Sequence, residues 1–139
     1  MNAVVRVQLL EGSRPAGTPF ALPTLQPKTK SAGRRPLVCA VCGRGVTWED
    51  QRREVSGRHA HTRMNPLGIE FHFGCFSEAE GCSVYGEPTD EHTWFPGCVW
   101  QFAHCRGCGV HLGWFFSGGD AFFGLVLDRL VPADDRAQA

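Results

Sequence analysis

Two cysteine pairs in the chain have the spacing of metal ligands. The segments CAVCG and CRGCG hold Cys39 with Cys42 and Cys105 with Cys108, and a glycine follows each pair. A Cys-x-x-Cys turn directs two thiolates at one metal, and the glycine supplies the φ that such a tight turn needs. Two such turns predict a closed Cys₄ site, in which zinc is structural rather than catalytic. Redox pairs or disulfides are the alternative, but two glycine-followed pairs favour zinc.

Three further cysteines, Cys75, Cys82 and Cys98, are predicted to be small buried apolar side chains. Two alternatives stay open. Cys75 and Cys82 could form a disulfide in an oxidising compartment. Cys98 lies on a turn between two tryptophans, where it could be exposed and reactive.

Four histidines could in principle also ligate a metal ion. They are His59, His61, His104 and His111. Because four cysteines already saturate a tetrahedral shell, we expect each histidine at the surface or beside the ligands.

A concentration of tryptophan predicts a ligand pocket. Residues 91–116 hold three of the four tryptophans, Trp94, Trp100 and Trp114. Large aromatic side chains near adjacent turns can form the walls of a small box. Core packing is the alternative, but the surrounding residues are polar turn residues, with few aliphatic ones. A box of indoles suits a methylated ammonium, held by cation–π attraction, or a small ring whose polar edge meets backbone groups.

The elements that position these residues are predicted to be mostly β strands. Residues 69–73 alternate large apolar with polar side chains, the period-two pattern of a half-buried strand. Residues 46–63 show little periodicity. Three shorter elements are a strand at residues 82–85, a turn region at residues 86–91, and a strand or short helix at residues 122–127.

A proline–glycine turn lies at the centre of the tryptophan-rich segment. Pro96 and Gly97 predict a type II turn that joins a strand at residues 93–95 to a strand at residues 98–102. The strand after the second cysteine pair is predicted to place three large side chains on one face: Leu112, Trp114 and Phe116.

Length, charge and composition limit the classes of function. The chain has 139 residues, the length of one domain, and its 14 Lys and Arg balance 14 Asp and Glu. The balance argues against a nucleic-acid or membrane partner, since both favour a net positive field. The sequence shows neither a secretion signal nor an apolar run of membrane-spanning length, so we expect a cytoplasmic protein with reduced thiols.

The distribution of proline predicts the domain limits. Five prolines in residues 1–36 predict an extended arm, with at most an edge strand at residues 4–10. The folded domain is predicted at residues 37–132, and a polar tail at residues 133–139.

Short motifs along the chain carry a family resemblance. In order they are NPxG at residues 65–68, EHTWFPG at residues 91–97, Trp100, CxxC at residues 105–108, HLGW at residues 111–114, Phe116, and FFGL at residues 122–125. At these residues the sequence resembles the CULT domain family, the thalidomide-binding domains of cereblon and its stand-alone bacterial relatives. The resemblance covers about residues 37–132.

This resemblance implies a fold, a metal and a ligand. The fold would be two antiparallel sheets joined at a zinc-bound edge, a β-tent. The ligand would be a cyclic imide, such as glutarimide, succinimide, a thalidomide-type or uracil-like ring, or a peptide end that carries an imide. The indoles of Trp94, Trp100 and Trp114 would wall the ring, and Phe116 would close the base.

The resemblance also implies polar contacts to the imide. The backbone carbonyl of His92 would accept the imide N–H, while the His92 side chain and the Trp94 backbone N–H would donate to the two carbonyls. Asn65 would flank the mouth. The Lon-like domain with which cereblon docks on a ubiquitin-ligase adaptor would not fit in residues 1–36, so we expect a free-standing, non-enzymatic binding module without that partner.

Two other functions compete with imide binding. A zinc-bearing methionine sulfoxide reductase would have a similar β architecture, with Cys98 as nucleophile and Cys75 or Cys82 as the resolving thiol. A methyl-ammonium reader would need an acidic residue in the pocket, for which Glu91 is the near candidate. An enzyme needs Cys98, whereas an imide binder should tolerate Cys98→Ala.

Overall fold

The computed structural model describes residues 34–133. The predicted arm, with its edge strand at residues 4–10, and the predicted tail lie almost wholly outside the described residues. Nine strands lie within the described residues: β1 (Pro36–Cys39), β2 (Gly45–Trp48), β3 (Ala60–Met64), β4 (Glu70–Phe76), β5 (Cys82–Thr89), β6 (Val99–Cys105), β7 (His111–Ser117), β8 (Phe122–Val126) and β9 (Leu130–Pro132).

The strands form two antiparallel sheets, which confirms the predicted fold class. The smaller sheet has the order β2-β1-β9, and the larger has the order β3-β4-β8-β7-β6-β5. The described helical segments are two short 3₁₀ turns, Glu49–Gln51 and Leu127–Arg129. Within residues 34–133, no helix combines the length and the apolar character that crossing a membrane requires.

Two apolar cores cover opposite faces of the larger sheet. The first core includes Leu37 and Leu130 of the smaller sheet and Leu125 of the larger sheet. The second core includes Phe73, Trp114, Phe116 and Val126, with Phe95 and Cys98 from the segment between β5 and β6. The smaller sheet therefore packs on one face of the larger sheet, and the aromatic residues of the second core pack on the other face.

Two strands, β2 and β3, form in the segment whose sequence shows little periodicity. Val46 and Thr47 are adjacent in β2, yet both are buried. Thr47 can be buried because its hydroxyl donates to the backbone carbonyl of Glu78 at 2.6 Å. Tertiary hydrogen bonding therefore stabilises a strand that lacks alternation in its sequence.

Strand β5 extends beyond the predicted strand at residues 82–85. The prediction of a turn region at residues 86–91 therefore placed the start of the turn too early in the chain. The strand continues through Pro88 to Thr89, with a register shift between Tyr85 and Thr89. Proline is tolerated here because β5 is an edge strand with an unpaired side.

The proline–glycine turn is confirmed, but the strand predicted before it is wrong. The Cys98 N–H donates to the Phe95 carbonyl at 2.9 Å, and Gly97 has φ of 91°. This φ is the one that a type II turn requires at its third residue. Residues 93–95 are not a strand, because the aromatic side chains of Trp94 and Phe95 pack over the larger sheet instead of extending it.

The prediction that Leu112 shares a face with Trp114 and Phe116 is also wrong. His104 pairs with His111 while Ala103 pairs with Gly113, so β7 has one extra residue at Leu112. Such a bulge interrupts the alternation of side chains. Leu112 consequently packs in the first core, whereas Trp114 and Phe116 pack in the second.

The last predicted element, a strand or short helix at residues 122–127, contains parts of both. Strand β8 leads directly into the 3₁₀ turn Leu127–Arg129. Strand β9, which the sequence did not predict, then returns the chain to the smaller sheet.

Candidate functional site

The four predicted metal ligands converge. The sulfur atoms of Cys39, Cys42, Cys105 and Cys108 all lie within 4.8 Å of one another. Cys39 lies 3.8 Å from Cys108, and Cys42 lies 3.6 Å from Cys105. A metal with four sulfur ligands at about 2.3 Å requires sulfur–sulfur distances of about 3.8 Å in a tetrahedron. The cluster could therefore hold a tetrahedral metal ion.

The two cysteine turns have the same backbone geometry. Gly43 N–H donates to the Cys39 carbonyl at 2.8 Å, and Gly109 N–H donates to the Cys105 carbonyl at 2.9 Å. The two glycines have φ of 83° and 81°. Only glycine adopts this left-handed conformation without steric cost, so the glycine after each pair is a requirement of the turn.

Backbone N–H groups point at two of the sulfurs. Val41 donates to the Cys39 sulfur at 3.4 Å, and Gly107 donates to the Cys105 sulfur at 3.3 Å. Burial raises the pKa of the Cys105 thiol, but hydrogen bonds from the backbone of Cys108 and Gly107 outweigh it, and the pKa falls to about 7. The backbone around Cys105 thus favours the thiolate form of this one ligand, which is the form that a metal ion binds.

The other three cysteines are buried free thiols. Cys75 belongs to the second core and Cys82 to the first. Burial raises the pKa of each of these two thiols to about 12. The expectation that Cys98 could be exposed is wrong, because Cys98 is only 7% exposed within the turn that follows Phe95.

The cysteine cluster contains none of the four histidines. His61 differs from the surface position expected for it, since it is 3% exposed. Its ring stacks on Phe73 with centroids 5.7 Å apart and meets Phe95 edge-on at 5.2 Å. Burial lowers the pKa of His61, which favours the neutral form of the imidazole within the aromatic core.

A pocket of about 220 Å³ lies on the face of the larger sheet that carries the second core. Its lining consists of Asn65, Pro66, His92, Trp94, Trp100, Trp114 and Phe116. All six predicted ligand-binding residues are in this set. Pro66 is the one lining residue that was not predicted, although it belongs to the NPxG motif at residues 65–68.

Two walls of the pocket meet at nearly a right angle. The rings of Trp94 and Trp114 have centroids 4.9 Å apart and planes inclined at 78°. Phe73 stacks on Trp94 at 5.3 Å from within the core. The Trp94 indole N–H donates to the Met64 carbonyl at 3.2 Å, which fixes the ring against the end of β3.

Trp100 and Phe116 complete the aromatic lining. They are direct partners across β6 and β7, so their side chains lie on the same face of the sheet. The Trp100 indole N–H donates to the Glu91 carbonyl at 2.9 Å. Phe116 packs edge-on against Phe95 at 5.0 Å and is 1% exposed, which makes it a rigid floor.

Gly124 of β8 makes room for this floor, and sequence reasoning missed it. It pairs with Trp114 across β7 and β8. A Cβ atom at Gly124 would lie 3.0 Å from the Phe73 ring and 3.1 Å from the Phe116 ring. The only signal in the sequence was a glycine within an otherwise apolar strand, which often marks a close approach.

His92 has an unusual backbone conformation. Its φ is 59°, in the left-handed region that residues other than glycine rarely adopt. The turn around it is held by the Thr93 N–H, which donates to the Asp90 carbonyl at 3.1 Å. Backbone strain of this kind costs about 1–3 kcal/mol and concentrates at ligand sites.

Asn65 shapes the loop on the other side of the pocket. Its side-chain oxygen accepts hydrogen bonds from the backbone N–H groups of Leu67 at 3.0 Å and Ile69 at 2.9 Å. The NH₂ group of the same side chain is then the part that can donate a hydrogen bond to a ligand.

The lining has no acidic side chain. None of its seven residues carries a carboxylate, and four of them are large aromatic residues. A cation bound there would have cation–π attraction to the rings without a neutralising carboxylate, whereas a neutral ring with polar edges needs no such group.

Comparisons with known proteins place these features in context. No protein-family model matches the chain. The chain is 35% identical over 81 residues to protein cereblon of Gallus gallus, a match that covers 54% of this chain and 18% of the relative. It is 36% identical over 75 residues to protein cereblon of Xenopus tropicalis, covering 50% of this chain and 17% of the relative. The chain thus spans less than a fifth of these relatives. The similarity to cereblon over about half of this chain, the two antiparallel sheets and the four-cysteine cluster together support a cereblon-like CULT domain.

Proposed function

We propose that this domain is a non-enzymatic binding module for cyclic imides. The ligands would be glutarimide, succinimide, thalidomide-type or uracil-like rings, or peptide ends that carry a cyclic imide. The observation that supports the proposal is the pocket of about 220 Å³, which is lined by no carboxylate, walled by three indoles and closed by a phenyl ring. Apolar walls suit the ring methylenes, and a few placed polar groups give specificity.

In this proposal the imide edge binds to His92 and Trp94. The His92 carbonyl accepts the imide N–H, and the His92 side chain and the Trp94 backbone N–H each donate to one imide carbonyl. Both residues line the pocket. The left-handed backbone of His92 is the strained feature that such a contact would explain.

The expected affinity for a bare ring is modest. Burial contributes about 0.8 kcal/mol for each of the two or three methylenes of the ring, and each of the three hydrogen bonds contributes about 1 kcal/mol net. The sum is roughly 5 kcal/mol. This corresponds to a dissociation constant in the micromolar-to-millimolar range. Specificity should be stronger than affinity, because a ring without the N–H leaves a buried acceptor unpaired.

We further propose that the metal is a structural zinc ion. Four thiolates in a tetrahedron leave no open coordination position for catalysis. Cys39 ends β1 of the smaller sheet and Cys105 ends β6 of the larger sheet, so the ion would tie the two sheets together. A reducing compartment such as the cytoplasm would preserve the thiols.

The structure does not favour the two competing functions. Cys98, the nucleophile of the reductase hypothesis, does not line the pocket and is buried in the second core. The methyl-ammonium hypothesis needs an acidic lining residue, and Glu91 is not among the lining residues.

Calorimetry of the full chain with three ligands separates these functions. The ligands are glutarimide, tetramethylammonium and a methyl sulfoxide, each added to wild type and Cys98→Ala. Imide binding predicts heat with glutarimide alone, with a dissociation constant unchanged by Cys98→Ala. Binding of tetramethylammonium alone would replace the proposal with the ammonium reader. Sulfoxide turnover that Cys98→Ala abolishes would replace it with the enzyme.

A further inference from the structure

Arg129 is the last residue of the 3₁₀ turn Leu127–Arg129, which follows β8. Its side chain is partly buried. Its backbone carbonyl accepts a hydrogen bond at 3.0 Å from Ala40, which lies in the first cysteine turn. The backbone of Arg129 is therefore held at the junction of the two sheets while its side chain reaches the aromatic residues.

The guanidinium group fixes the ring of His111. Arg129 Nη1 donates to the His111 carbonyl at 2.9 Å and lies 3.2 Å from His111 Nδ1. A guanidinium has only donors, so Nδ1 must be the acceptor and the imidazole proton must be on Nε2. His111 Nε2 accordingly donates to the Gly113 carbonyl at 2.9 Å.

The same guanidinium lies over a second aromatic ring. Its Cζ atom is 5.9 Å from the centroid of Phe71, within the range of a cation–π interaction. His111 and Phe71 both contact Trp114 edge-on, at 5.1 Å and 5.0 Å, with an interplanar angle of 79° in each case. Trp114 is therefore in contact with two rings that one charged group holds.

We propose that Arg129 is a positioning residue that fixes the Trp114 wall of the pocket through His111 and Phe71. The effect on imide affinity rests on the proposed function. The effect on the His111 tautomer and on the Trp114 ring does not.

The surroundings of His111 explain why the arrangement needs a neutral imidazole. The groups facing its ring are Arg129, His104 at 5.6 Å, Phe102 and Trp114, and none of these carries a negative charge. Burial and then the Arg129 charge lower the pKa of His111. A proton on Nδ1 would face the guanidinium and remove the acceptor for Nη1.

Nitrogen-15 NMR of the ring nitrogens of His111 tests the proposal without a ligand. The full chain, purified with its metal, is compared with Arg129→Met, which keeps the length of the stem, and Arg129→Lys, which keeps the charge. Arg52→Met is the matched control, because Arg52 is an exposed arginine whose ion-pair partner is the carboxylate of Glu49 rather than an aromatic ring. Wild type and the control should show a protonated Nε2 and a bare Nδ1.

Arg129→Met should lose this single tautomer, raise the pKa of His111 and shift the Trp114 indole N–H signal. Glutarimide should then bind about tenfold more weakly, and Arg129→Lys should recover part of the loss. Unchanged ring signals in Arg129→Met would overturn the proposal. If that variant does not fold, a protonated Nδ1 in wild type would overturn it equally. If the ring signals change in Arg129→Met but glutarimide does not bind to the wild type, the positioning role is upheld and imide binding is rejected.

Discussion

The sulfur atoms of Cys39 and Cys108 lie 3.8 Å apart although 69 residues separate them in the chain. Closing so long a loop costs conformational entropy, which the binding free energy of a metal ion between the two turns would offset. Such an ion would connect β1 of the smaller sheet to the turn after β6 of the larger sheet, so we expect metal binding and the packing of the first core to be linked.

Removing one ligand should therefore unfold the domain. The binding free energy of a structural zinc ion is on the order of 10 kcal/mol, comparable to the whole stability of a small domain. We expect Cys108→Ser to lose the metal and the cooperative thermal transition, measured by mass spectrometry and circular dichroism. Cys98→Ala should retain one zinc ion per chain. A folded Cys108→Ser variant without metal would contradict the structural role.

Adding one methyl group at Gly124 should damage the floor of the pocket. The new Cβ would press on the rings of Phe73 and Phe116 at 3.0 Å and 3.1 Å. Overpacking of this kind costs about 1–3 kcal/mol. Urea denaturation should show that loss for Gly124→Ala, and calorimetry should show weaker imide binding. The control is Gly45→Ala, whose Cβ would meet no atom within 4 Å. Equal effects of the two substitutions would contradict the role assigned to Gly124.

The strained backbone of His92 predicts opposite effects on stability and binding. Glycine adopts φ of 59° without the steric cost that histidine has, so His92→Gly should raise the free energy of unfolding by about 0.5 kcal/mol. The same variant loses the side-chain donor and should bind glutarimide several-fold more weakly. His92→Asn tolerates the left-handed conformation and keeps a donor, and it should bind more tightly than His92→Gly. Wild-type affinity in His92→Gly would show that the side chain makes no contact with the ligand.

Burial of His61 predicts a dependence of stability on pH. Its pKa in the folded protein is lowered from the ordinary value of 6.5, so the unfolded chain binds more protons as the pH falls through that value. The contribution of His61 to stability is therefore complete above pH 6.5 and is lost as the pH falls below it. His111, whose pKa is also lowered, acts in the same direction. Urea denaturation at pH 7.5 and 5.5 should show the loss, and His61→Phe should reduce it. The same loss in His61→Phe would assign the effect to other groups.

The sequence predicted the features that short motifs or the family resemblance specify, and it missed irregular strand pairing and individual side-chain contacts between distant segments. The four cysteines and the turn at Pro96 and Gly97 follow from short motifs whose geometry is local. The bulge at Leu112 was not predictable, because it arises from the pairing of β6 with β7. The contacts of Arg129 with His111 and Phe71 were not predictable for the same reason, since Arg129 reaches these residues only after β8 and the 3₁₀ turn are in place.

The tryptophan-rich segment illustrates the same limit at the pocket itself. Its aromatic residues were predicted to gather, and the described structure brings Trp94, Trp100 and Trp114 to one pocket. The acceptor of the Trp94 indole is the Met64 carbonyl, 30 residues away, and no local pattern indicates it. Short motifs therefore predict which aromatic residues gather at the pocket, but not the hydrogen bond that orients the Trp94 indole.

The most direct test of imide binding is a tryptophan-fluorescence titration of the full chain with glutarimide and with N-methylglutarimide. The two rings differ in the one N–H for which the His92 carbonyl is the proposed acceptor. We expect saturable quenching with glutarimide, a dissociation constant at least about tenfold weaker for the N-methyl compound, and loss of the signal in Trp114→Ala. Equal affinity for the two rings, or no response to glutarimide, would contradict the proposal that this pocket recognises a cyclic imide.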